Sequence, residues 1–329
     1  MPISLVTGGA GFIGSHLADE LIARGDEVIV LDDLSGGLQE NVPLEALFIH
    51  GSVTDQVLIE QLFESNKIDY VYHLAAYAAE GLSHFIKRYN YRNNLIGSVN
   101  LINESVKHNI KCFVFTSSIA VYGNQKSPMI EGMIPQPEDP YGIAKYAVEQ
   151  ELKVSKKMFG LDYVIFRPHN VYGERQNITD PYRNVIGIFM NQLMFGKPLS
   201  IFGDGSQTRA FSYIDDIVPL IAESVTKKES YGEVFNVGAD DAIAVKDLAE
   251  QVMKAMKMSC PIQFHESRNE VQHAFASHAK IKKHFGEIEN TSLEVGLEKM
   301  SRWAKLVSHQ PTRKFESLEL TKNLPPFWK

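Results

Sequence analysis

The sequence of 329 residues predicts an α/β fold, a doubly wound parallel sheet with a smaller C-terminal lobe for substrate binding. Three observations predict it. An apolar run near the N-terminus leads through a glycine-rich turn into a helical pattern. Continuous apolar runs then alternate with helical patterns, which is typical of parallel strands covered on both faces. After about Val171 this alternation stops, and Pro, Gly and Asn become frequent.

Each element is predicted from its pattern of apolar residues. Strands are predicted at 3–6, 28–31, 47–50, 70–74, 112–116 and 163–166, with helices between them at 14–24, 56–65, 93–107 and 141–159. Later helices are predicted at 185–195, 214–225, 245–256 and 293–306, with a strand at 199–202. We assign 1–172 to the nucleotide-binding domain, 173–309 mainly to the substrate lobe and 310–329 to an extended surface tail. Segment 207–238 is predicted to return to the first domain, with 235–238 as a further strand of its sheet.

Composition excludes several classes of protein. The net charge of −7 argues against a general nucleic-acid binder, which would carry a basic face. No apolar run approaches the length of a membrane span, and the first strand begins too early for a signal peptide. The two cysteines, Cys112 and Cys260, are far apart in sequence, so free thiols are expected and the cytoplasm is the expected location.

The turn after the first strand reads Gly8-x-x-Gly11-x-x-Gly14. Glycines at this spacing let backbone N–H groups and a helix N-terminus approach a pyrophosphate with no side chain between them. A plain turn is the alternative, but the strand before and the helix after favour the dinucleotide site of a Rossmann fold. Asp32 ends the second strand, where a carboxylate accepts hydrogen bonds from the adenosine ribose and repels a 2′-phosphate. The predicted cofactor is therefore NAD, although Asp32 could also serve only as a turn residue.

Two further strand ends and one helix carry candidate chemistry. Leu74, Ala75 and Ala76 follow the fourth strand, where small residues would let a cofactor lie close, or simply allow tight packing. Ser118 follows the fifth strand. Tyr141 and Lys145 are one helical turn apart, so they share a face, and an ammonium beside a phenol favours the phenolate and lowers its pKa.

These motifs, together with Asn93-Asn94, Val121–Gly123, Arg167–Gly173 and Phe202–Arg209, resemble those of the extended short-chain dehydrogenases/reductases. Within that group the chain is similar to the NAD-dependent sugar-nucleotide epimerase/dehydratase family, over residues 3 to about 306. The resemblance implies a nucleotide-diphosphate sugar as substrate, with a UDP-sugar favoured. It also implies a homodimer through a four-helix contact of helices 93–107 and 141–159.

The resemblance assigns residues to each part of the site. For the cofactor it implies backbone N–H groups of Phe12 and Ile13 at the pyrophosphate, Ser52 and Val53 at the adenine, and Asn94 and His169 nearby. For the substrate it implies Asn170 near the phosphates, Phe202 at the base, Arg209 and Arg268 as diphosphate clamps, and Glu270 at the ribose. Glu80 lies near the expected sugar, where it would act on the sugar, bond a hydroxyl or only begin a helix.

In 4-epimerases of the family, a Tyr phenolate removes the 4-hydroxyl proton, a 4-keto sugar forms, and hydride returns to its other face. Here Tyr141 would be the base, Lys145 would tune it and Ser118 would bond the sugar oxygen. A dehydratase carries an acid pair directly after the strand-five hydroxyl, where this chain has Ile119-Ala120, so dehydration is disfavoured. The alternatives are an oxidase or reductase of sugar nucleotides and a catalytically silent NAD-binding sensor. Histidines 265, 273, 278 and 284 do not repeat a ligand spacing, so no metal is expected.

Overall fold

The computed structural model describes residues 1–267, 271–287, 289–307, 315 and 317–328. Its strands are β1 (Ile3–Thr7), β2 (Glu27–Asp32), β3 (Leu47–His50), β4 (Tyr70–His73), β5 (Cys112–Thr116), β6 (Tyr163–Pro168), β7 (Val171–Tyr172), β8 (Leu199–Phe202), β9 (Thr208–Ala210), β10 (Ser212–Tyr213), β11 (Val234–Val237), β12 (Ala242–Ala244), β13 (Ile262–His265) and β14 (His273–Ala274). Its α-helices are α1 (Phe12–Ala23), α2 (Gln56–Ser65), α3 (Glu80–Ser83), α4 (Lys87–Tyr91), α5 (Gly97–Lys107), α6 (Pro140–Phe159), α7 (Val185–Met194), α8 (Ile214–Glu223), α9 (Val245–Met256), α10 (Ala279–Phe285) and α11 (Leu293–Leu306).

The central sheet has seven strands in the order β11-β6-β5-β4-β1-β2-β3, and all of its pairings are parallel. The predicted fold class is confirmed. The return of 235–238 to this sheet is also confirmed, since β11 pairs with β6. The chain order reverses between β1 and β4, and open α/β sheets form their ligand crevice at such a point.

Both faces of the sheet are buried, which explains its continuous apolar strands. Val28 and Val30 of β2 point into one apolar cluster, with α1 and α8, whereas Ile29 and Leu31 point into the other, with α2, α5 and α6. Successive side chains of a strand point to opposite faces, so a strand covered on both sides needs apolar residues at every position.

Two helix starts differ from the predicted ones in an informative way. The predicted helix 93–107 is interrupted: a π-helical turn, Arg92–Ile96, precedes α5. Helix α6 begins one residue earlier than predicted, at Pro140, because the Asp139 carboxylate accepts hydrogen bonds from the backbone N–H groups of Tyr141 and Gly142, each at 2.9 Å. Proline suits the first helical position, since its missing N–H would have no helical partner.

The second half adds short sheets, β12-β9-β14 and β13-β8, and further helices, of which α8 packs on α1 and α9 packs on α7 and α11. The C-terminal tail is the exception to its prediction. Leu324 and Trp328 are buried in a cluster with Ala79, Leu82 and Ile86, so the expected surface position is wrong for these two side chains. Among the described residues, no helix is both long and apolar enough to cross a bilayer.

Candidate functional site

A cavity of about 1610 Å³ opens at the carboxyl ends of the central strands and extends beneath the second lobe. Most of the residues predicted from the sequence line it. They are Gly8, Gly11, Phe12, Ile13, Gly14, Asp32, Val53, Leu74, Ala75, Ala76, Glu80, Ser118, Tyr141, Lys145, Asn170, Phe202 and Arg209. The tertiary structure thus brings the glycine turn, the Tyr–Lys pair and the second-lobe residues to one place.

The glycine turn is shaped by close backbone contacts. Gly8 has a φ of +74°, and a Cβ at this position would lie 2.7 Å from the backbone nitrogen of Ala75. The turn therefore packs directly on the chain that follows β4. Gly11 is the N-cap of α1, so that the N-terminus of this helix lies at the cavity. This cradle fits the pyrophosphate of a dinucleotide, which needs N–H donors and no intervening side chain.

The Asp32 side chain both holds the glycine turn and lines the cavity. One carboxylate oxygen accepts a hydrogen bond from Ala10 N at 3.0 Å, and the other accepts one from Leu34 N at 2.8 Å. The side chain therefore ties the glycine turn to the end of β2 while it lines the cavity. Burial raises the pKa of Asp32, opposed by these N–H donors. Both interpretations made from the sequence, turn residue and ribose acceptor, are compatible with this position.

Tyr141, Lys145 and Ser118 are buried together. Lys145 donates from Nζ to the carbonyl of Thr116 at 2.7 Å, and this nitrogen lies 5.8 Å from the centroid of the Tyr141 ring. The Ser118 hydroxyl acts to lower the pKa of the Tyr141 phenol, and its Oγ accepts from Ala120 N at 3.1 Å. The base, its cationic neighbour and a hydroxyl that can bond a sugar oxygen are thus in one corner of the cavity.

The pKa directions differ from the expected lowering of Tyr141. Burial raises the pKa of the Tyr141 phenol, and the Glu80 carboxylate raises it further. Burial lowers the pKa of Lys145 to about 7, against the opposing charge of Glu149. Desolvation disfavours the charged form of each group. The protein by itself therefore keeps Tyr141 neutral, and phenolate formation needs further positive charge in the cavity.

Three predicted residues lie beside the cavity rather than on its lining. Ser52 turns its hydroxyl to Thr54 Oγ1 at 3.0 Å. His169 is buried, with Nε2 3.0 Å from Nε2 of His278. Asn94 is also buried and holds the loop after β4, since its amide exchanges hydrogen bonds with the backbone N–H and carbonyl of Tyr77.

Asn94 also connects this loop to the catalytic helix. Its Nδ2 donates to Asn90 Oδ1 at 2.8 Å, and Asn90 donates to the carbonyl of Pro140 at 2.8 Å. Pro140 directly precedes Tyr141. Asn94 lies within the π-helical turn Arg92–Ile96, and it links the loop after β4 to the start of α6 through these hydrogen bonds.

Residues that follow β6 line the opposite wall of the cavity. Asn170 donates to the carbonyl of Ala210 at 3.1 Å, and Arg209 donates from Nη1 to the carbonyls of Thr208 and Gln272. The ring of Phe202 stacks on His265, with centroids 5.2 Å apart. Arg268 and Glu270, the other predicted substrate residues, lie outside the described residues.

Arg183 lines the cavity and was not found from the sequence. Its Nε donates to Asp180 at 2.9 Å, its guanidinium lies 5.0 Å from the Tyr77 ring centroid, and a Cβ on Gly36 would come within 3.0 Å of Nη2. It also acts to lower the pKa of Tyr141. No local pattern marks this residue for the cavity, because its partners other than Asp180 come from distant segments of the chain.

Metal ligation has no support among the residues that the structure describes. They contain no group of three or more His, Cys, Asp or Glu side chains placed to hold an ion. His278 instead bonds His169 and Asp240, with its Nδ1 2.6 Å from Asp240 Oδ1.

A parallel sheet whose first glycine turn meets a carboxylate at the end of β2 defines a dinucleotide-binding protein of the Rossmann type. The model of the NAD dependent epimerase/dehydratase family matches residues 4–238. The chain belongs to this family, and the prediction of NAD as its cofactor is confirmed by that membership.

Individual relatives resemble nearly the whole chain. It is 32% identical over 303 residues to a putative UDP-glucose 4-epimerase of Methanocaldococcus jannaschii, a match that covers 92% of this chain and 98% of that protein. The structure of UDP-glucose 4-epimerase from Thermotoga maritima with UDP-glucose is 36% identical, covers 93% of this chain and 99% of that one, and has a TM-score of 0.87. The structure of Thermus thermophilus UDP-glucose 4-epimerase with NAD is 29% identical, covers 93% and 100%, and also has a TM-score of 0.87.

Proposed function

We propose that the protein is an NAD-dependent 4-epimerase of a nucleotide-diphosphate sugar, with a UDP-sugar as the favoured substrate and a transient 4-keto intermediate. The observation that carries this proposal is the shared cavity. The glycine turn and Asp32 lie on one side, Ser118, Tyr141 and Lys145 at the centre, and Asn170, Phe202 and Arg209 on the other. The similarity to UDP-glucose 4-epimerases supports it.

The N–H groups at the start of α1 and the carboxylate of Asp32 would hold NAD, which supplies a reversible acceptor for the C4 hydride. Tyr141 takes the proton of the sugar 4-hydroxyl and returns it after the sugar has turned. Lys145 fixes the backbone at Thr116 and adds positive charge beside the phenol. Ser118, which lines the cavity with Tyr141 and acts to lower the pKa of its phenol, is placed to bond the reacting oxygen.

Elimination of water is the reaction of the family's dehydratases, and the residues after Ser118 argue against it. The short turn Ile119–Tyr122 places Ile119 and Ala120 on the cavity lining, where an acid–base pair would be required. Two hydrocarbon side chains can neither donate nor accept a proton. The structure therefore favours oxidation and reduction at one carbon over elimination.

The test is to incubate the purified protein with UDP-glucose, UDP-N-acetylglucosamine, UDP-glucuronate and GDP-mannose and to follow the anomeric protons by NMR. We expect one sugar to change configuration with no net reduced cofactor. Tyr141→Phe removes the proton acceptor but keeps the ring, so it should abolish turnover. Accumulating NADH would indicate an oxidase, a 4-keto-6-deoxy product a dehydratase, and unchanged turnover in Tyr141→Phe would contradict the proposed mechanism.

We also propose a homodimer through a four-helix contact. Exposed apolar side chains support it: Ile96 stands just before α5, and Ile143, Val154 and Met158 lie on α6. The three on α6 fall within about 60° of arc on the helix surface, so they form one apolar face. Analytical ultracentrifugation should show a dimer that Ile143→Glu dissociates. The matched control is Leu44→Glu, which changes an exposed leucine outside the helices and should leave the dimer intact.

A cytoplasmic location is part of the same proposal. Cys112 and Cys260 are both free thiols, and Cys112 is fully buried. Free thiols are usual in a reducing compartment. Fractionation of the native host with an antibody to the protein would test this location.

A further inference from the structure

The part of the C-terminal tail that the structure describes, residue 315 and residues 317–328, lies against the catalytic cavity; we call it the C-terminal segment. We propose that this segment is a wall of the sugar end of the cavity, and that Trp328 and Glu319 are positioning residues that keep the 4-keto sugar inside while it turns. The inference rests on the proposed 4-epimerase function.

Glu319 anchors the segment to the first domain. Its carboxylate accepts hydrogen bonds from the backbone N–H groups of Arg88 and Tyr89, both at 2.9 Å, in the first turn of α4. Glu319 N donates to the carbonyl of Phe85 at 2.8 Å. The Arg88 side chain adds an ion pair, with Nε 3.5 Å from the Glu319 carboxylate, but this side chain is 90% exposed, so the two backbone donors are the main part of the anchor.

Aromatic packing holds the two ends of the segment. Phe315 packs on Tyr77 and Tyr89, with ring centroids 5.5 and 5.0 Å apart. Trp328 is only 5% exposed, and its ring meets Tyr182 and Phe85 at 5.2 and 6.1 Å. These contacts join the segment both to the loop after β4 and to the second lobe, so it spans the two sides of the cavity.

Trp328 contacts α3, and α3 in turn contacts the start of the catalytic helix α6. A Cβ on Gly81 would lie 3.0 Å from Cη2 of Trp328, so the indole rests on the α3 backbone. Glu80, the neighbour of Gly81, raises the pKa of Tyr141, and Ser83 Oγ lies 3.4 Å from the Asp139 carboxylate that caps α6. The position of Trp328 therefore sets the position of α3 relative to Tyr141.

The segment also lines the cavity itself, through residues that include Lys322, Leu324 and Trp328. In a 4-epimerase the oxidised sugar must turn before it is reduced. A ketone that escapes has given its C4 hydride to NAD and its hydroxyl proton to Tyr141, and neither returns to it. Each ketone that escapes therefore leaves one reduced cofactor behind. If the wall is lost, one molecule of reduced cofactor should accumulate for each ketone released.

The experiment compares Trp328→Ala with the wild-type enzyme on the sugar nucleotide that the NMR assay identifies. We expect KM to rise about tenfold with a smaller change in kcat, as for loss of a buried aromatic anchor, and reduced cofactor to accumulate at 340 nm. Trp328→Phe should restore both. Glu319→Gln should show the same change more weakly, and Glu294→Gln, at an exposed residue on α11, should show none. Wild-type KM and no reduced cofactor in Trp328→Ala would overturn the inference and leave the 4-epimerase proposal intact.

A second readout does not depend on turnover. The chain has two tryptophans, so Trp303→Phe leaves Trp328 as the only one. We expect UDP with NADH to protect Trp328 fluorescence from acrylamide quenching, because the ligands fill the space that it borders. If no sugar nucleotide is epimerised, the proposed function fails, and this measurement alone decides the position of the wall. Unchanged quenching would overturn the inference, and protection would support it.

Discussion

Glu149 is the residue whose replacement should disturb the protein most informatively. It is fully buried on α6, one turn after Lys145. Its carboxylate accepts hydrogen bonds from Arg167 Nε at 2.9 Å and Nη2 at 2.5 Å, and from Ser117 Oγ at 2.6 Å. Glu149→Gln keeps the shape of the side chain and removes its charge. Arg167, which is 2% exposed, would then be buried without a counter-charge.

The expected loss of stability follows from that uncompensated charge. Removing one partner of a buried ion pair costs about 3–5 kcal/mol in the free energy of unfolding. With about 2.1 cal/mol/K of unfolding entropy per residue, a chain of 329 residues should melt about 4–7 °C lower. In the wild-type protein burial opposes the charge of Arg167, and the Glu149 carboxylate holds its pKa above the usual value. Glu149→Gln removes that support, but a guanidinium keeps its proton in proteins, so the buried charge remains without a partner.

The same substitution should change the pH dependence of activity. The Glu149 charge raises the pKa of Lys145, which burial lowers to about 7. Without that charge the pKa of Lys145 falls further, and a smaller fraction of Lys145 is protonated at neutral pH. Activity that needs the ammonium is lost as pH rises through this pKa. The alkaline limit of activity should therefore move to lower pH in Glu149→Gln.

Urea denaturation followed by circular dichroism measures the stability, and a pH series of kcat/KM measures the second effect. Glu294→Gln is the matched control, because Glu294 and Lys254 form an ion pair whose side chains are 65% and 77% exposed. We expect no measurable loss of stability there. A loss below about 1 kcal/mol in Glu149→Gln would show that Arg167 finds another acceptor and would refute the reasoning.

Three further predictions concern the turn, the buried histidines and the missed arginine. Gly8→Ala should reduce NAD affinity, measured by calorimetry, at least about tenfold, because its Cβ would lie 2.7 Å from the Ala75 backbone and because a φ of +74° is strained for alanine. The control is Gly25→Ala, where φ is +93° but the space around the Cβ is open, and it should leave NAD affinity unchanged. Burial lowers the pKa of His73 to about 3 and of His169 to about 4. As pH falls, each histidine is therefore protonated in the unfolded state before it is protonated in the folded state. Stability in urea should therefore fall as pH drops below about 6.5, by about 3 kcal/mol for each histidine at pH 4, and a flat profile would contradict this. Arg183→Gln should shift the activity profile to higher pH, because Arg183 lowers the pKa of Tyr141; an unmoved profile would exclude this role.

Much of the fold could be predicted because its signals are local. The strand at 199–202 and the helices at 245–256 and 293–306 were predicted with the bounds that the structure has. Apolar residues at every position are sufficient to indicate a strand covered on both faces, and a period of 3.6 is sufficient to indicate an amphipathic helix. The interruption before α5 was not predictable, because the π-helical turn occurs where Asn94 bonds the loop after β4.

The candidate site divides in the same way. The glycine spacing and the one-turn separation of Tyr141 and Lys145 are properties of short segments, and the structure places both on one cavity. Arg183 and Trp328 reach that cavity from sequence positions with no pattern of their own. Their partners, Tyr77 and Gly81, lie more than one hundred residues earlier in the chain.

The sequence by itself determined the class of fold, the position of the dinucleotide turn and the residues of the Tyr–Lys pair, because helix and strand periods and glycine conformations act over a few neighbouring residues. Only the tertiary structure decided the protonation of that pair, because burial from all sides opposes the charges of Tyr141 and Lys145. It alone also placed the tail on the cavity. Burial of Leu324 and Trp328 depends on apolar partners far away in sequence, and no local pattern records such contacts.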